Sequence, residues 1–252
     1  CEADPALASL AERHPYRSPA RQQCIFTALV RSVCSQQLSN ERAAAVYEKV
    51  RAAADEATAG VGGGAGGGDG VVSYQGVGGA ATISPARLLA VPEACWVAGF
   101  CGLSGNKARS VRELAKAFSL PRADGTPLLT DTALRELPEA AFVAELTALY
   151  GIGKWTAQMV QMCVLGRPNV LPTDDYGVKK GMQLVYGGDM PKPSRMEEIA
   201  ERWRPYASIG SHFMWKAADE ANAKTKAAAK AKKEAKAKGA AKKAKGARGG
   251  KS

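Results

Sequence analysis

Several common residue types and patterns are scarce in this 252-residue chain. Aromatic residues make up 6% of it, and it has only two histidines. No run of 18 or more apolar residues occurs, which excludes a membrane-spanning helix. The six cysteines form no C-x-x-C pair, and no histidine stands at zinc-ligand spacing. The tight C-terminal group of four cysteines that holds an iron–sulfur centre is also missing. We therefore expect free thiols, no required metal, no cofactor and no membrane partner.

Net charge is absent from residues 1–220. The whole chain carries +11, and residues 221–252, with eleven Lys, one Arg and one Glu, account for all of it. Such a polycation most often binds nucleic-acid phosphates, although a solvated and dispensable terminus is the alternative. Because this segment mixes Ala and Lys without an apolar face, we predict a disordered tail over 219–252 that is at most a transient helix.

The location of the protein is an expectation from the same tail. Lys-rich segments also act in nuclear import, so the expected compartment is the nucleus if the chain is eukaryotic. The chain begins at Cys1 rather than Met, so we expect it to be a fragment.

The apolar pattern predicts an all-α fold. Apolar residues recur with helical spacing in six stretches, and no stretch alternates over five or more residues. The six stripes are Ile25, Ala28, Leu29, Ser32 and Val33; Ala43, Val46, Tyr47 and Val50; Ala108, Val111, Leu114, Ala115 and Phe118; Phe142, Leu146 and Leu149; Trp155, Met159, Met162 and Cys163; and Val178, Met182 and Val185.

One segment interrupts this helical pattern. Residues 60–81 hold 11 of the 27 glycines, and such a stretch buries too little to offset its ordering entropy. We predict a flexible insertion within one helical domain over 1–218; a linker between two domains is the alternative.

A glycine hairpin joins two of the predicted helices. The sequence LYGIGKWTA occupies residues 149–157, within a helix-hairpin-helix over about 143–165. Glycines allow positive φ and close backbone approach, and the second helix starts with outward N–H groups that can bind phosphate. A DNA-backbone grip and an ordinary helix–helix turn both fit this pattern.

A pair of carboxylates follows about twenty residues later. The sequence VLPTDDYGV at 170–178 has a proline before Asp174 and Asp175, which stand at the start of a helix. One carboxylate suffices to cap the helix. We therefore expect the second to be available for chemistry.

Together these motifs resemble the helix-hairpin-helix DNA glycosylase superfamily, in its alkylpurine branch of the DNA-3-methyladenine glycosylase II type. GIGKWTA (151–157) and LPTDDYGVKKG (171–181) carry the resemblance. It extends from HP (14–15) through SQQLS (35–39), and to GLSGNKA (102–108), RWRPY (202–206) and HFMW (212–215). The resemblance implies two helical subdomains with a cleft between them.

The resemblance also assigns residue roles. Asp175 matches the catalytic aspartate, with Asp174 as the cap or a helper. Trp155, Trp215 and Met159 match base-pocket positions, while Trp96 and Trp203 are expected to be structural. The DNA-binding positions are Gly151, Ile152, Gly153, Lys154, Thr156, Gln36 and Gln37, with Gln37 as the residue that wedges into the duplex. In relatives the hairpin carbonyls, here those of Gly151 and Gly153, can also hold a monovalent cation.

These roles imply a monofunctional enzyme of base-excision repair. It would flip alkylated purines such as 3-methyladenine and 7-methylguanine out of double-stranded DNA and hydrolyse the N-glycosidic bond. The lyase branch has a nucleophilic lysine where Trp155 stands, and Lys154 is displaced by about 100° of helix rotation. We expect a monomer that leaves an abasic site for a downstream endonuclease. The alternatives are a glycosylase for oxidised or mismatched bases and a non-catalytic DNA-binding module.

Overall fold

The described part of the chain is helical. The computed structural model describes residues 4–16, 24–59, 83–96, 101–121 and 129–248, and no β-strand occurs among them. The predicted all-α class is confirmed. In these residues the α-helices are α1 Pro5–Arg13, α2 Ile25–Ser35, α3 Asn40–Ala59, α4 Pro85–Ala90, α5 Gly105–Ala117, α6 Asp131–Glu136, α7 Glu139–Thr147, α8 Lys154–Cys163, α9 Tyr176–Tyr186, α10 Pro193–Ala200 and α11 Ala207–Arg248. The predicted Gly-rich insertion at 60–81 lies outside the described residues.

The chain divides into two compact helical units. Unit 1 comprises Cys1–Tyr16 and Leu171–Ser252, and unit 2 comprises Arg17–Val170. The chain therefore enters unit 1, builds all of unit 2 and then returns to unit 1. This division agrees with the two helical subdomains expected from the family resemblance.

Unit 2 is built around α2. Ile25, Leu29 and Val33 of its predicted stripe are buried, whereas Ala28 and Ser32 are partly buried. The helix packs against α3, α5 and α8. Its first N–H, that of Ile25, is satisfied from outside the helix by the Asp131 carboxylate at 3.0 Å. The five described cysteines of the chain are free; Cys34 and Cys101 are buried and Cys163 is exposed.

Unit 1 is held by α9 packing on α11 and by a buried polar network at its beginning. Asp4 caps α1 and accepts hydrogen bonds from Tyr186 Oη at 2.6 Å and Trp203 Nε1 at 3.2 Å. Burial alone would raise the pKa of Asp4, but these bonds and the Leu7 N–H bring the pKa below its ordinary value. Trp203 is 3% exposed, as expected of a structural tryptophan.

The predicted stripe on α8 was right about Met162, which is buried, and wrong about Trp155 and Cys163, which are exposed. Ala157, Val160 and Val164 join the core of unit 2. The periodicity located the helix but could not tell which of two partly apolar faces is buried. The face that carries Trp155 is left at the surface.

The predicted disordered tail differs from the structure. Helix α11 continues from Ala207 through the Lys/Ala segment to Arg248, over 42 residues. Ala and Lys have high helix propensity, and the packed first turns of α11 supply the nucleus that an isolated peptide would have to form. Side chains from Ala221 to Lys233 are almost all exposed, so solvent surrounds this part of the helix.

Candidate active site

The hairpin between α7 and α8 occupies residues 148–153. Gly151 has φ of +78°, a conformation that other residues rarely adopt, and a Cβ there would overlap Ser110 on α5. Ile152 donates its N–H to Leu149 O at 3.1 Å, and its side chain is buried. Gly151 is therefore required both for the turn and for its close approach to α5.

Helix α5 packs against this hairpin. The Arg109 guanidinium lies 4.1 Å from the centre of the Tyr150 ring, and Tyr150 Oη donates to Asn106 Oδ1 at 3.4 Å. These contacts fix the turn against a packed helix, so the backbone of the hairpin is held in place before any ligand arrives.

The start of α8 presents backbone donors. Gly153 is the N-cap in an extended conformation, and the N–H groups of the first turn have no acceptor within the helix. Lys154 is exposed. Thr156, predicted to bind DNA, is 3% exposed, so its side chain lies in the interior and only its backbone N–H belongs to this turn. Ile152, also predicted to bind DNA, has a buried side chain, so only its backbone can face a ligand.

The loop after α2 lies beside the hairpin within unit 2. Gln36 Nε2 donates to Gly151 O at 3.3 Å. Gln37, the predicted wedge, is exposed and has φ of +58°, an uncommon value for a residue other than glycine. The structure thus brings both predicted glutamines to the hairpin side of this unit.

Lys107 anchors that loop, although the sequence assigned it no role. Its Nζ donates to Cys34 O at 3.1 Å and to Gln36 O at 2.6 Å, the carbonyls at the C-terminal end of α2. Burial lowers the pKa of Lys107. A cation is favoured at a helix C-terminus. The sequence alone could not assign this role to Lys107, because it does not show that Lys107 lies beside the end of α2.

Two predicted base-pocket residues lie one turn apart on α8. Trp155 is 36% exposed, and Met159 lines a cavity of about 400 Å³ between α2, α3 and α8. Tyr47 also lines this cavity, and the Arg31 guanidinium lies 4.6 Å from the centre of its ring. This surface of unit 2 combines apolar and aromatic area with a cation.

The predicted catalytic carboxylate lies in unit 1. Asp175 is the N-cap of α9 and is 9% exposed; its Oδ1 accepts the Val178 N–H at 2.8 Å. Trp215 Nε1 on α11 donates to the same oxygen at 2.8 Å. Two of the predicted site residues are thus joined directly.

The division of labour predicted for the two aspartates was wrong in one respect. Asp174 was expected to cap the helix or to assist Asp175, yet Asp175 is the cap and Asp174 is exposed, so the first of these two roles is wrong. A cap must precede the first helical residue, and α9 begins at Tyr176. The same side chain therefore holds the helix start and is the candidate for chemistry.

Neither site has a ready-made metal centre. Among the described residues no group of three or more His, Cys, Asp or Glu side chains could hold a metal ion. The carbonyls of Gly151 and Gly153 are the atoms that would coordinate a monovalent cation. Gly151 O already accepts a hydrogen bond from Gln36, and Gly153 O accepts one from the Ala157 N–H; each keeps a second lone pair.

Among the described residues no helix is both long and apolar enough to cross a bilayer.

Two packed helices joined by a short glycine hairpin, as α7 and α8 are here, define a helix-hairpin-helix protein. Its sequence matches the pattern of the HhH-GPD superfamily base excision DNA repair proteins over residues 30–205. Since that match covers well over half of the chain, the protein belongs to this superfamily.

Individual relatives agree with this assignment. A putative DNA-3-methyladenine glycosylase of Bacillus subtilis is 36% identical over 34% of the chain. The match covers 31% of that relative's length, and the next curated relative, from Schizosaccharomyces pombe, is matched over 53% of its length. The chain therefore spans about a third to a half of the length of these two relatives.

Solved structures share the fold. A DNA-3-methyladenine glycosidase from Bacillus halodurans superposes with a TM-score of 0.64 at 26% identity, covering 86% of each chain. A 3-methyladenine DNA glycosylase of Schizosaccharomyces pombe, in complex with abasic DNA, gives a TM-score of 0.63 at 21% identity and covers 84% of this chain and 91% of that one.

Proposed function

We propose that this protein is a DNA glycosylase that removes alkylated purines of the 3-methyladenine and 7-methylguanine class from double-stranded DNA. The observation that carries the proposal is the Asp175 carboxylate, which two N–H donors hold at the start of α9. A module that only binds DNA gains nothing from a carboxylate, because it repels phosphates. The relatives named for 3-methyladenine support the choice of alkylated purines.

The target base must first leave the helical stack. Flipping a nucleotide costs a few kcal/mol, and side chains inserted at the vacated position offset part of that cost. Gln37 is exposed on the loop beside the hairpin and is suited to that insertion. The N–H groups at the start of α8 would meanwhile hold a phosphate of the same strand.

The flipped base carries a positive charge if it is a 3-methyladenine or a 7-methylguanine. Aromatic faces attract cations by about 0.5 to 2 kcal/mol, and Trp155 and Trp215 supply such faces. Met159 adds apolar surface beside Trp155 on α8. An uncharged normal purine gains less from these contacts, which favours the damaged base.

Asp175 would act on the sugar. When the bond from C1′ to the purine nitrogen breaks, its electron pair stays on the base and C1′ becomes an oxocarbenium-like cation. An ionised carboxylate stabilises that charge or orients the water whose oxygen then bonds to C1′. The products are the free base and an abasic site.

The residue at the start of α8 argues for a monofunctional enzyme. A lyase needs a lysine amine that attacks C1′ and later breaks the strand. Trp155 occupies the position of that lysine, and Lys154 is the N-terminal residue of the helix. We propose that the enzyme leaves the strand intact, acts as a monomer and hands its abasic site to an endonuclease.

The basic part of α11 would hold the enzyme on DNA without sequence preference. Its exposed lysines can displace counterions from phosphates. The same Lys-rich segment is consistent with a nuclear location if the chain is eukaryotic.

The proposal is tested by measuring the bases released from methylated duplex DNA. Wild type should release free 3-methyladenine and 7-methylguanine, Asp175→Asn should release neither, and the exposed Asp174→Asn serves as the matched control with wild-type release. Release by no variant, with tight DNA binding by all, would favour the binding module. Release by Asp175→Asn but not by Asp174→Asn would move the catalytic role to Asp174.

A further inference from the structure

Gly177 occupies a position in α9 that leaves room for nothing larger. A Cβ on it would lie 2.8 Å from Trp215 Cδ1, 3.2 Å from Trp215 Nε1 and 3.1 Å from Asp175 Oδ1. The residue is the second of a regular helix, where glycine is about 1 kcal/mol less favourable than alanine. Its φ is not in the left-handed range, so backbone conformation does not require glycine here. The reason for glycine is space.

That space is filled by the edge of the Trp215 indole. The ring passes over Gly177 so that its N–H reaches Asp175 Oδ1 at 2.8 Å. One turn later, a Cβ on Gly181 would overlap the backbone of Met214, the residue before Trp215. Two glycines on one face of α9 therefore let α11 come close enough for the indole to meet the carboxylate.

The result is a carboxylate oxygen with two donors from two helices. The Val178 N–H comes from α9 itself and the Trp215 N–H from α11, both at 2.8 Å. The first bond fixes Asp175 to its own helix, as in any N-cap. The second adds a direction that no cap supplies, because it comes from outside α9.

We infer that Gly177 and Trp215 are positioning residues for Asp175: the glycine admits the indole, and the indole N–H holds the carboxylate in its working orientation. This inference rests on the proposed function and adds a role for Trp215 that is separate from any contact with the base. It predicts that a methyl group at Gly177, which touches no DNA in this argument, slows base release through Trp215.

The test compares Gly177→Ala with Gly105→Ala. Gly105 also begins a helix, but a Cβ there meets nothing within 4 Å, which makes it the matched control. Misplacing a reacting group by about 1 Å can cost on the order of 100-fold in rate. We expect Gly177→Ala to lower the single-turnover rate of base release by about 10- to 100-fold, while Gly105→Ala keeps the wild-type rate. Affinity for an abasic duplex should change less than the rate does.

A second variant separates the indole N–H from the ring. Trp215→Phe keeps an aromatic ring but removes the donor, and it should slow release by a similar factor. Because both substitutions break one hydrogen bond, the double variant Gly177→Ala/Trp215→Phe should be no slower than the slower single variant. Multiplied losses in the double variant would overturn the inference.

A spectroscopic readout keeps this test independent of activity. In a ¹H–¹⁵N spectrum the indole N–H resonance of Trp215, assigned by its loss in Trp215→Phe, should move in Gly177→Ala and stay in Gly105→Ala. If wild type releases no base, the proposed function fails whatever this resonance does. If wild type is active and Gly177→Ala releases base at the wild-type rate, the proposed function stands and the positioning role is wrong.

Discussion

The Asp175 side chain stabilises α9 and is also the proposed catalytic group. Its Oδ1 accepts the Val178 N–H at the N-cap position. Carboxylates and carboxamides cap helices about equally well. The structural and chemical contributions of this residue can therefore be separated by choosing the substitution.

We expect the free energy of unfolding of Asp175→Asn to lie within about 0.5 kcal/mol of that of wild type, since the amide oxygen still accepts the Val178 N–H. Asp175→Ala removes the cap and should lower the free energy of unfolding by about 1 kcal/mol. Urea unfolding followed by circular dichroism measures both. Asp174→Ala is the control, because its side chain is exposed and caps nothing. Equal losses in the Asn and Ala variants would contradict the capping role.

Helix α5 contacts both loops of unit 2 that we propose to bind DNA. It meets the Tyr150 side chain of the hairpin through Asn106 and Arg109, and it holds the loop after α2 through Lys107. The hairpin and the predicted wedge Gln37 therefore share one support. Loss of one of these α5 contacts should therefore weaken DNA binding, although the α5 residue itself touches no DNA in this account.

Lys107→Met should be costly at this junction. The Cys34 and Gln36 carbonyls would lose their donor, which costs about 1–3 kcal/mol when such groups stay buried. Binding of an abasic duplex should weaken as well, because Gln37 loses its anchor. Lys116→Met on the same helix removes an exposed pair with Glu113 and should cost under about 0.5 kcal/mol. Equal stability of the two variants would show that the Lys107 bonds contribute little.

The contact of His212 on α11 with Tyr16, which follows α1, predicts a dependence of stability on pH. His212 lies edge-on to Tyr16 at 5.3 Å, and burial, with smaller contributions from Lys216 and His14, lowers its pKa. A histidine with a lowered pKa binds a proton more readily when unfolded. Its contribution to stability is therefore complete above the ordinary value of 6.5 and is lost as the pH falls below it.

His212→Phe should flatten this loss. The ring contact with Tyr16 remains while the titrating group is gone, so the free energy of unfolding should depend less on pH between about 6.5 and 5 than in wild type. The loss attributable to one proton is below about 1.4 kcal/mol per pH unit. Glu220, whose pKa is lowered chiefly by its hydrogen bond with His14, titrates at more acid pH and serves as the reference. Identical pH slopes in wild type and variant would contradict the role of His212.

The helices could be predicted from sequence more readily than their surroundings. A period of 3.6 located α2, α3, α5, α7, α8 and α9, since each carries at least one apolar stripe. Periodicity cannot choose between two moderately apolar faces, which is why the predicted stripe on α8 combined the buried Met162 with the exposed Trp155 and Cys163. The roles of Gly177 and Lys107 could not be predicted, because they depend on residues distant in sequence, Trp215 for Gly177 and Cys34 for Lys107.

At the scale of the whole molecule, the excess charge is concentrated at the C-terminal end of the sequence. Residues 221–252 carry all of the net +11, and α11 continues through them to Arg248. Composition located this charge correctly, but it predicted a disordered tail because it ignored the folded helix that precedes the segment. A continuous α11 would keep the lysines on the same element as Trp215.

Deleting residues 222–252 should flatten the salt dependence of non-specific DNA binding. Each phosphate contact contributes about −0.9 to the slope of log K against log salt concentration, so the loss of three or more contacts would change the slope by about 3. Base release at low salt should remain. The triple variant Lys230→Gln/Lys232→Gln/Lys233→Gln keeps helix-forming residues and should reduce the slope by part of the amount that the deletion does. An unchanged slope in both variants would mean that the segment is a dispensable terminus.

The most direct measurement of the central claim uses a duplex with a single 7-methylguanine under single-turnover conditions. The strand is analysed before and after alkali, for wild type and Asp175→Asn. The account predicts that wild type releases the base, that the strand stays intact until alkali cleaves it at the abasic site, and that Asp175→Asn binds the duplex without releasing base. Strand breakage by wild type without alkali, or wild-type release by Asp175→Asn, would contradict it.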